Sequence, residues 1–181
     1  MKKLKKYNRH SIRLKGYDYS KTGAYFITLC TQNRKCLFGS IVNGGIQLNK
    51  IGQIVKDEWI KIAEIQHEIK LDEYVVMPDH FHGIVIFTKS VGAIHESPIH
   101  GSPLQMTQKQ RRNMGLPKLI GRFKMLSSKK INKIRQTPGV KLWQRDYWEH
   151  IIRNNDELIN IRKYIKNNPK IWPPEKGKDS M

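Results

Sequence analysis

The sequence predicts an α+β fold, a ferredoxin-like (split βαβ) antiparallel sheet carrying one extra C-terminal helix. Three observations point there. Two apolar segments flank Pro78-Asp79 as an antiparallel pair would; two stretches repeat apolar residues at helical spacing and so need a sheet to cover; a third helical stretch follows the last extended segment. A chain of 181 residues suits one domain with an elaboration, and a hydrophobic share of 38% supplies a core while leaving much solvated surface.

Taken in order, residues 1–20 form a basic arm, and Ala24 to Thr31 (AYFITLCT) alternates aromatic and β-branched side chains as a strand does. Asn43-Gly44-Gly45 marks a hairpin turn, with a short strand ending near Leu48. Asn49 is placed to cap a helix running to about His67, in which Ile51, Ile54, Val55, Trp59, Ile62 and Ile65 recur at i, i+3 and i+4. Glu73 to Met77 and Phe81 to Thr88 are read as adjacent strands joined by the tight turn at Pro78-Asp79.

The pattern then dissolves. Residues 89–115 are expected to be a flexible insertion, with IHESP followed at once by the similar IHGSP. His95 and His100 in it are read as solvated side chains. From Leu116 to Gln136 helical periodicity returns, stopped by Thr137-Pro138-Gly139, and Val140 to Ile152 is read as extended and aromatic-rich. Asn154 or Asn155 is the expected cap of the final helix, Asp156 and Glu157 suit its first turn, and Pro169 is expected to end it. Residues 173–181 are read as a disordered tail, so 21–172 make up the single domain.

Charge narrows the partners. Lys and Arg number 34 against 15 Asp and Glu, a formal net charge of +19. Such a surplus attracts polyanions. No acid stands between Met1 and Lys15, and none between Ser97 and Arg145, while basic residues crowd both stretches. These two tracts are expected to contact a nucleic-acid backbone, with Lys2, Lys3, Arg9, Arg122, Lys124, Lys129 and Arg145 as candidate contacts, the second tract lining the strand's approach to the site. A membrane is not expected as a partner: no apolar run approaches the roughly 18–20 residues of a span, and the basic N-terminus is not followed by the apolar stretch of a signal peptide. Cys30 and Cys36 are too few for a disulfide framework and cannot alone hold zinc, so a reduced, cytoplasmic (nucleoid-associated) setting is expected.

The local feature with most chemistry is His80-Phe81-His82 at the start of a strand. Residues i and i+2 of a strand share a face, so both imidazoles project together as a bidentate claw for a divalent metal, while Phe81 joins Val85 and Phe87 on the opposite, helix-covered face. Strand histidines can also be plain hydrogen-bonded residues. In the final helix Tyr164 and Asn168 stand four apart, so a phenol and a carboxamide share one side of it. Either could instead be structural, Tyr164 as a packed side chain and Asn168 as a helix-terminal residue before proline.

MPDHFHGIV, LWQRDYWEHIIR and KYIKNNP, in this order and spacing, resemble the single-tyrosine HUH transposases (IS200-like), particularly the branch associated with repetitive extragenic palindromes, over a span from about Ala24 to Pro169. The resemblance implies that His80, His82 and Asn168 hold Mg²⁺ or Mn²⁺ and that Tyr164 is the nucleophile. The enzyme so implied is a DNA transposase: a single-strand endonuclease-ligase that cleaves hairpin-containing DNA through a 5′-phosphotyrosine intermediate. Tyr147 is the rival nucleophile, but it lacks a carboxamide at i+4; Glu149 and His150 are read as structural hydrogen-bonding residues before any role in proton transfer. No nucleotide cofactor is expected, consistent with the lack of a GxxxxGK[ST] loop. The resemblance leaves monomer and homodimer open, including a site completed by a partner's tyrosine helix. The competing reading is a non-catalytic nucleic-acid-binding module on the same sheet, favoured if the Tyr164 hydroxyl lies more than about 10 Å from both imidazoles.

Overall fold

The computed structural model describes residues 21–88 and 115–172. The arm at 1–20, nearly all of the insertion at 89–115 and the tail at 173–181, and with them Lys2, Lys3 and Arg9, lie outside the described residues.

Strands β1 (Gly23–Cys30), β4 (Ile69–Val76), β5 (His80–Phe87) and β6 (Trp148–Ile152) form a four-stranded sheet in the order β4-β5-β1-β6, every neighbouring pair antiparallel. β1 and β4 therefore run the same way with β5 between them. A separate hairpin pairs β2 (Gly39–Val42) with β3 (Gly45–Leu48). Its two-residue turn needs left-handed backbone at both positions, which Asn43 (φ 51°) and Gly44 (φ 72°) supply. Helices α1 (Lys50–Ile65), α2 (Gly115–Arg135) and α3 (Asn155–Asn167) complete the described elements, with short 3₁₀ turns at Gln32–Arg34 and Asn168–Ile171.

The alternation of side chains along the strands divides the interior in two. Tyr25, Ile27 and Leu29 of β1 and Phe81, Val85 and Phe87 of β5 face α1 and α2, where Trp59 and Phe123 close the larger core. Phe26, Ile84 and Ile152 face the other way and meet Ile165, with Leu158 and Ile161, on α3. α1 begins where expected: the Asn49 side chain accepts hydrogen bonds from the Ile51 and Gly52 amides. Asn154 caps α3 by accepting from the Glu157 amide.

One expected boundary differs. Of Val140 to Ile152 only Trp148–Ile152 is a strand, because Leu142 and Trp143 leave the sheet edge to bury in the larger core, touching β1's end by a single bridge from Trp143 to Thr31. The final α-helix ends at Asn167, just ahead of Pro169 as expected. The chain tightens into the 3₁₀ turn Asn168–Ile171 with the proline near its start, where no amide donor is needed.

Candidate active site

On the α3 side of the sheet, β1, β5, β6, α3 and the turn after it surround a cavity of about 550 Å³. The cross-strand register builds its floor. Thr28 sits opposite His82 on one side and Trp148 on the other, and Cys30 sits opposite His80. His80 and His82, two apart on β5, turn their rings to the same face with centroids 4.6 Å apart. Tyr164 reaches over from α3: its hydroxyl oxygen is 3.5 Å from His82 Nε2, too long for a strong hydrogen bond. Phe26 packs against both the His82 and the Tyr164 rings, at 5.4 and 6.0 Å between centroids. Asn168, buried at the junction of α3 and the 3₁₀ turn, lines the same cavity with Trp148 and Trp172.

Both imidazoles are held at Nδ1. Asp79 Oδ1 lies 2.6 Å from His80 Nδ1, and Thr28 Oγ1 lies 2.8 Å from His82 Nδ1. A carboxylate accepts, so His80 Nδ1 carries a proton; the Thr28 hydroxyl can either accept from or donate to His82 Nδ1, and the accepting arrangement is the one that leaves a lone pair on His82 Nε2. Burial, aided by the neighbouring His80 and by Arg34, pushes the His82 pKa down to about 3, so its ring is neutral at physiological pH. Two imidazoles with backed Nδ1 atoms and a buried carboxamide in one cavity fit a divalent cation. Among the described residues no three His, Cys, Asp or Glu side chains gather at one point; oxygen donors lining the cavity beside the imidazoles come from Thr28, Tyr164 and Asn168.

The anchoring of α3 explains why its tyrosine arrives there. A register shift between Leu71 and Tyr74 breaks the regular pairing of β4 with β5 at Asp72 and Glu73, two successive acids that both bind α3. Asp72 accepts from Arg162 Nε and Nη2 at 2.8 and 2.5 Å, and Glu73 pairs with Lys166 at 2.9 Å. The Arg162 hydrogen bond holds the Asp72 carboxyl below the usual carboxylate range. Two ion pairs one helical turn apart fix the rotation of α3 about its axis, and the buried Ile165 fixes its depth.

Of the residues singled out from sequence, His80, His82, Tyr164 and Asn168 meet in the cavity. Tyr147 does not; it packs against the larger core on the far side of the sheet. Glu149 is buried, and His150 Nε2 lies 2.5 Å from Glu157 Oε1 and stacks on Trp148. The described part of the second basic tract does not line the cavity. Arg122 and Lys129 are exposed on α2, which covers the opposite face, and Lys124 is spent on structure, its ammonium donating to the Gln144 and Arg145 carbonyls at 2.6 and 2.9 Å. Arg145 is exposed ahead of β6. Sequence reading missed Thr28, Asp79 and Arg34. Asp79 stood beside the histidine pair and could have been found; the other two arrive by register and by an unusual turn.

Among the described residues no helix is long and apolar enough to cross a membrane. No family model matches the chain. The fold is similar to a structure of a REP-associated tyrosine transposase bound to a REP hairpin, with 20% identity, a TM-score of 0.47 and coverage of 92% of this chain and 73% of that one. It is also similar to a Deinococcus radiodurans R1 crystal structure provisionally described as a transposase, with 19% identity, a TM-score of 0.45 and coverage of 86% and 95%. In sequence, 166 residues are 39% identical to an uncharacterized protein of Haemophilus influenzae strain Rd, spanning 92% of this chain and 91% of that protein. At that identity over nearly the whole of both chains, this chain belongs to the same family as the Haemophilus influenzae protein.

Proposed function

We propose that the protein is a single-tyrosine HUH transposase, cutting and rejoining single-stranded, hairpin-bearing DNA through a covalent 5′-phosphotyrosine. The observation that carries this reading is the convergence of Tyr164 with His80, His82 and Asn168 in one cavity, the phenol 3.5 Å from an imidazole nitrogen although 82 residues separate the two in sequence. The strand order β4-β5-β1-β6 supports reading the sheet as ferredoxin-like, with α3 as the added helix that carries the nucleophile.

His80, His82 and Asn168 would hold Mg²⁺ or Mn²⁺. The cation, when bound, would draw charge from the scissile phosphate and favour ionisation of a nearby phenol. Tyr164 Oη bonds to phosphorus, the bond from phosphorus to the 3′-oxygen breaks, the phenol releases one proton and the departing 3′-oxygen takes one up. One phosphodiester bond replaces another, so the step can run backwards onto a second 3′-OH and needs no nucleotide cofactor. Phe26 stiffens both rings, and Trp148 and Trp172 at the cavity rim can stack on unpaired bases.

The test is incubation with Mn²⁺ and a labelled single strand carrying a hairpin. A protein–DNA adduct resistant to denaturant is expected, abolished by Tyr164→Phe, kept by Tyr147→Phe and lost on chelation. Binding without any adduct in the wild type would replace this reading with that of a non-catalytic binding module.

A further inference from the structure

The cavity has a chemical gap that the proposed reading leaves open. A DNA phosphate carries a full negative charge, and among the described residues Arg34 is the one permanently charged side chain lining the cavity. Its position is heavily determined. Asn33 and Arg34 both take left-handed backbone, φ 58° and 53°, a pair of conformations that only strong local constraint maintains without glycine. The constraint is visible: the Thr31 amide and hydroxyl lie 2.9 Å from the Asp79 carbonyl, the same hydroxyl is 2.8 Å from the Lys35 carbonyl, and the Leu37 and Phe38 amides donate to Pro78 O. The turn that carries Arg34 is thereby tied to the turn that opens β5.

The guanidinium is oriented as tightly. Nε donates to Asp79 Oδ2 at 2.8 Å and Nη1 lies 3.0 Å from Cys30 Sγ, while Asp79 Oδ1 holds His80. One buried carboxylate thus sets both a candidate metal ligand and the arginine. Among the described residues no acceptor takes Nη2, and the side chain is 45% exposed at the cavity wall. A planar, permanently charged fork with donors to spare is the group suited to a phosphate.

We propose that Arg34 is the anion-binding residue of this site: it grips a non-bridging oxygen of the DNA phosphate held beside His80 and His82, with Asp79 as its positioning residue. This rests on the reading of the cavity as a DNA-processing site.

Two measurements on the full chain test it. The first is binding of a short fluorescent single strand as a function of salt, which needs no catalysis. Arg34→Ala should weaken binding and reduce the slope of log affinity against log salt by about 0.7, the value for one single-strand phosphate contact, and Arg34→Lys should recover the slope. An unchanged slope and affinity overturns the proposal, whether or not the wild type forms an adduct. The second compares adduct formation on an ordinary scissile phosphodiester and on a methylphosphonate, which lacks the charge. Arg34→Ala should slow the ordinary substrate by about 100-fold, as loss of an oxyanion donor does, and the methylphosphonate far less. Equal slowing of both would mean that Arg34 only props up Asp79 and His80, and the proposal fails. A wild type that forms no adduct on either substrate, with the salt slope still dependent on Arg34, overturns the transposase reading and leaves the anion site standing.

Discussion

At the scale of single residues, the site was legible where a period generates it and hidden where a register does. His80 and His82 share a face because strand side chains alternate, and Tyr164 and Asn168 share one because a helix turns about every four residues; both facts are in the sequence. Thr28 is different. It backs His82 only because β1 pairs with β5 so that Thr28 stands directly opposite that histidine, and nothing within AYFITLCT announces the partner. The threonine fixes which ring nitrogen faces the cavity, and such backing partners are typically worth about 10–100-fold in metal affinity. Thr28→Val keeps the branched shape in the strand but removes the oxygen. Calorimetric titration with Mn²⁺ should show affinity falling by about that factor with the fold retained, whereas His82→Ala should abolish the binding. Unchanged Mn²⁺ affinity in Thr28→Val would mean that the Thr28 oxygen does not determine the state of His82.

At the scale of elements, capping residues and apolar stripes were readable, and ends set by tertiary contacts were not. Asn49 and Asn154 cap the helices that their positions promised, while Leu142 and Trp143, which look like strand residues, are drawn off the sheet by the core. The irregularity of β4 at Asp72 and Glu73 was equally invisible, because a shift in pairing leaves no periodic trace, yet it gives α3 its two ionic anchors. A carboxyl held below its unfolded value stabilises the fold at pH above that value, and the contribution is lost as the pH falls through the depressed folded one. Asp72→Asn should therefore lower the melting temperature at pH 7 and lose its effect in strong acid, where wild type and variant should melt together. If α3 is aligned by these pairs, Asp72→Asn/Glu73→Gln should also slow adduct formation more than it weakens DNA binding. The start of α1 makes a sharper case. A Cβ on Gly52 would stand 2.0 Å from the Phe38 carbonyl oxygen, so Gly52→Ala should cost about 3 kcal/mol in a urea unfolding curve despite alanine's better helix propensity.

At the scale of the whole molecule, the sheet separates chemistry from much of the charge. The cavity opens on the α3 side, whereas Arg122 and Lys129 project from α2 on the other. The surplus of +19 raises the expectation of a polyanionic partner from composition alone, but composition carries no direction, and a linear tract cannot tell which face of a sheet its helix will cover. A nucleic acid that touches both the cavity and α2 must pass around the edge of the sheet. Two layers packed about 10 Å apart set that path at a few nucleotides of extended strand at least. A short oligonucleotide of about four nucleotides should fill the cavity without meeting α2, while a longer strand with a hairpin can reach it. The double substitution Arg122→Glu/Lys129→Glu should therefore leave the affinity of the short strand nearly unchanged and weaken the long one. Its salt slope should shrink by about 0.7 for each single-strand phosphate that α2 no longer neutralises, or about 0.9 where the phosphate belongs to a duplex. Anisotropy titrations of both lengths over a range of salt concentrations measure this. Equal weakening of the two would show that these cations act through the protein's overall field, and an unchanged long strand would confine the DNA to the α3 side of the sheet.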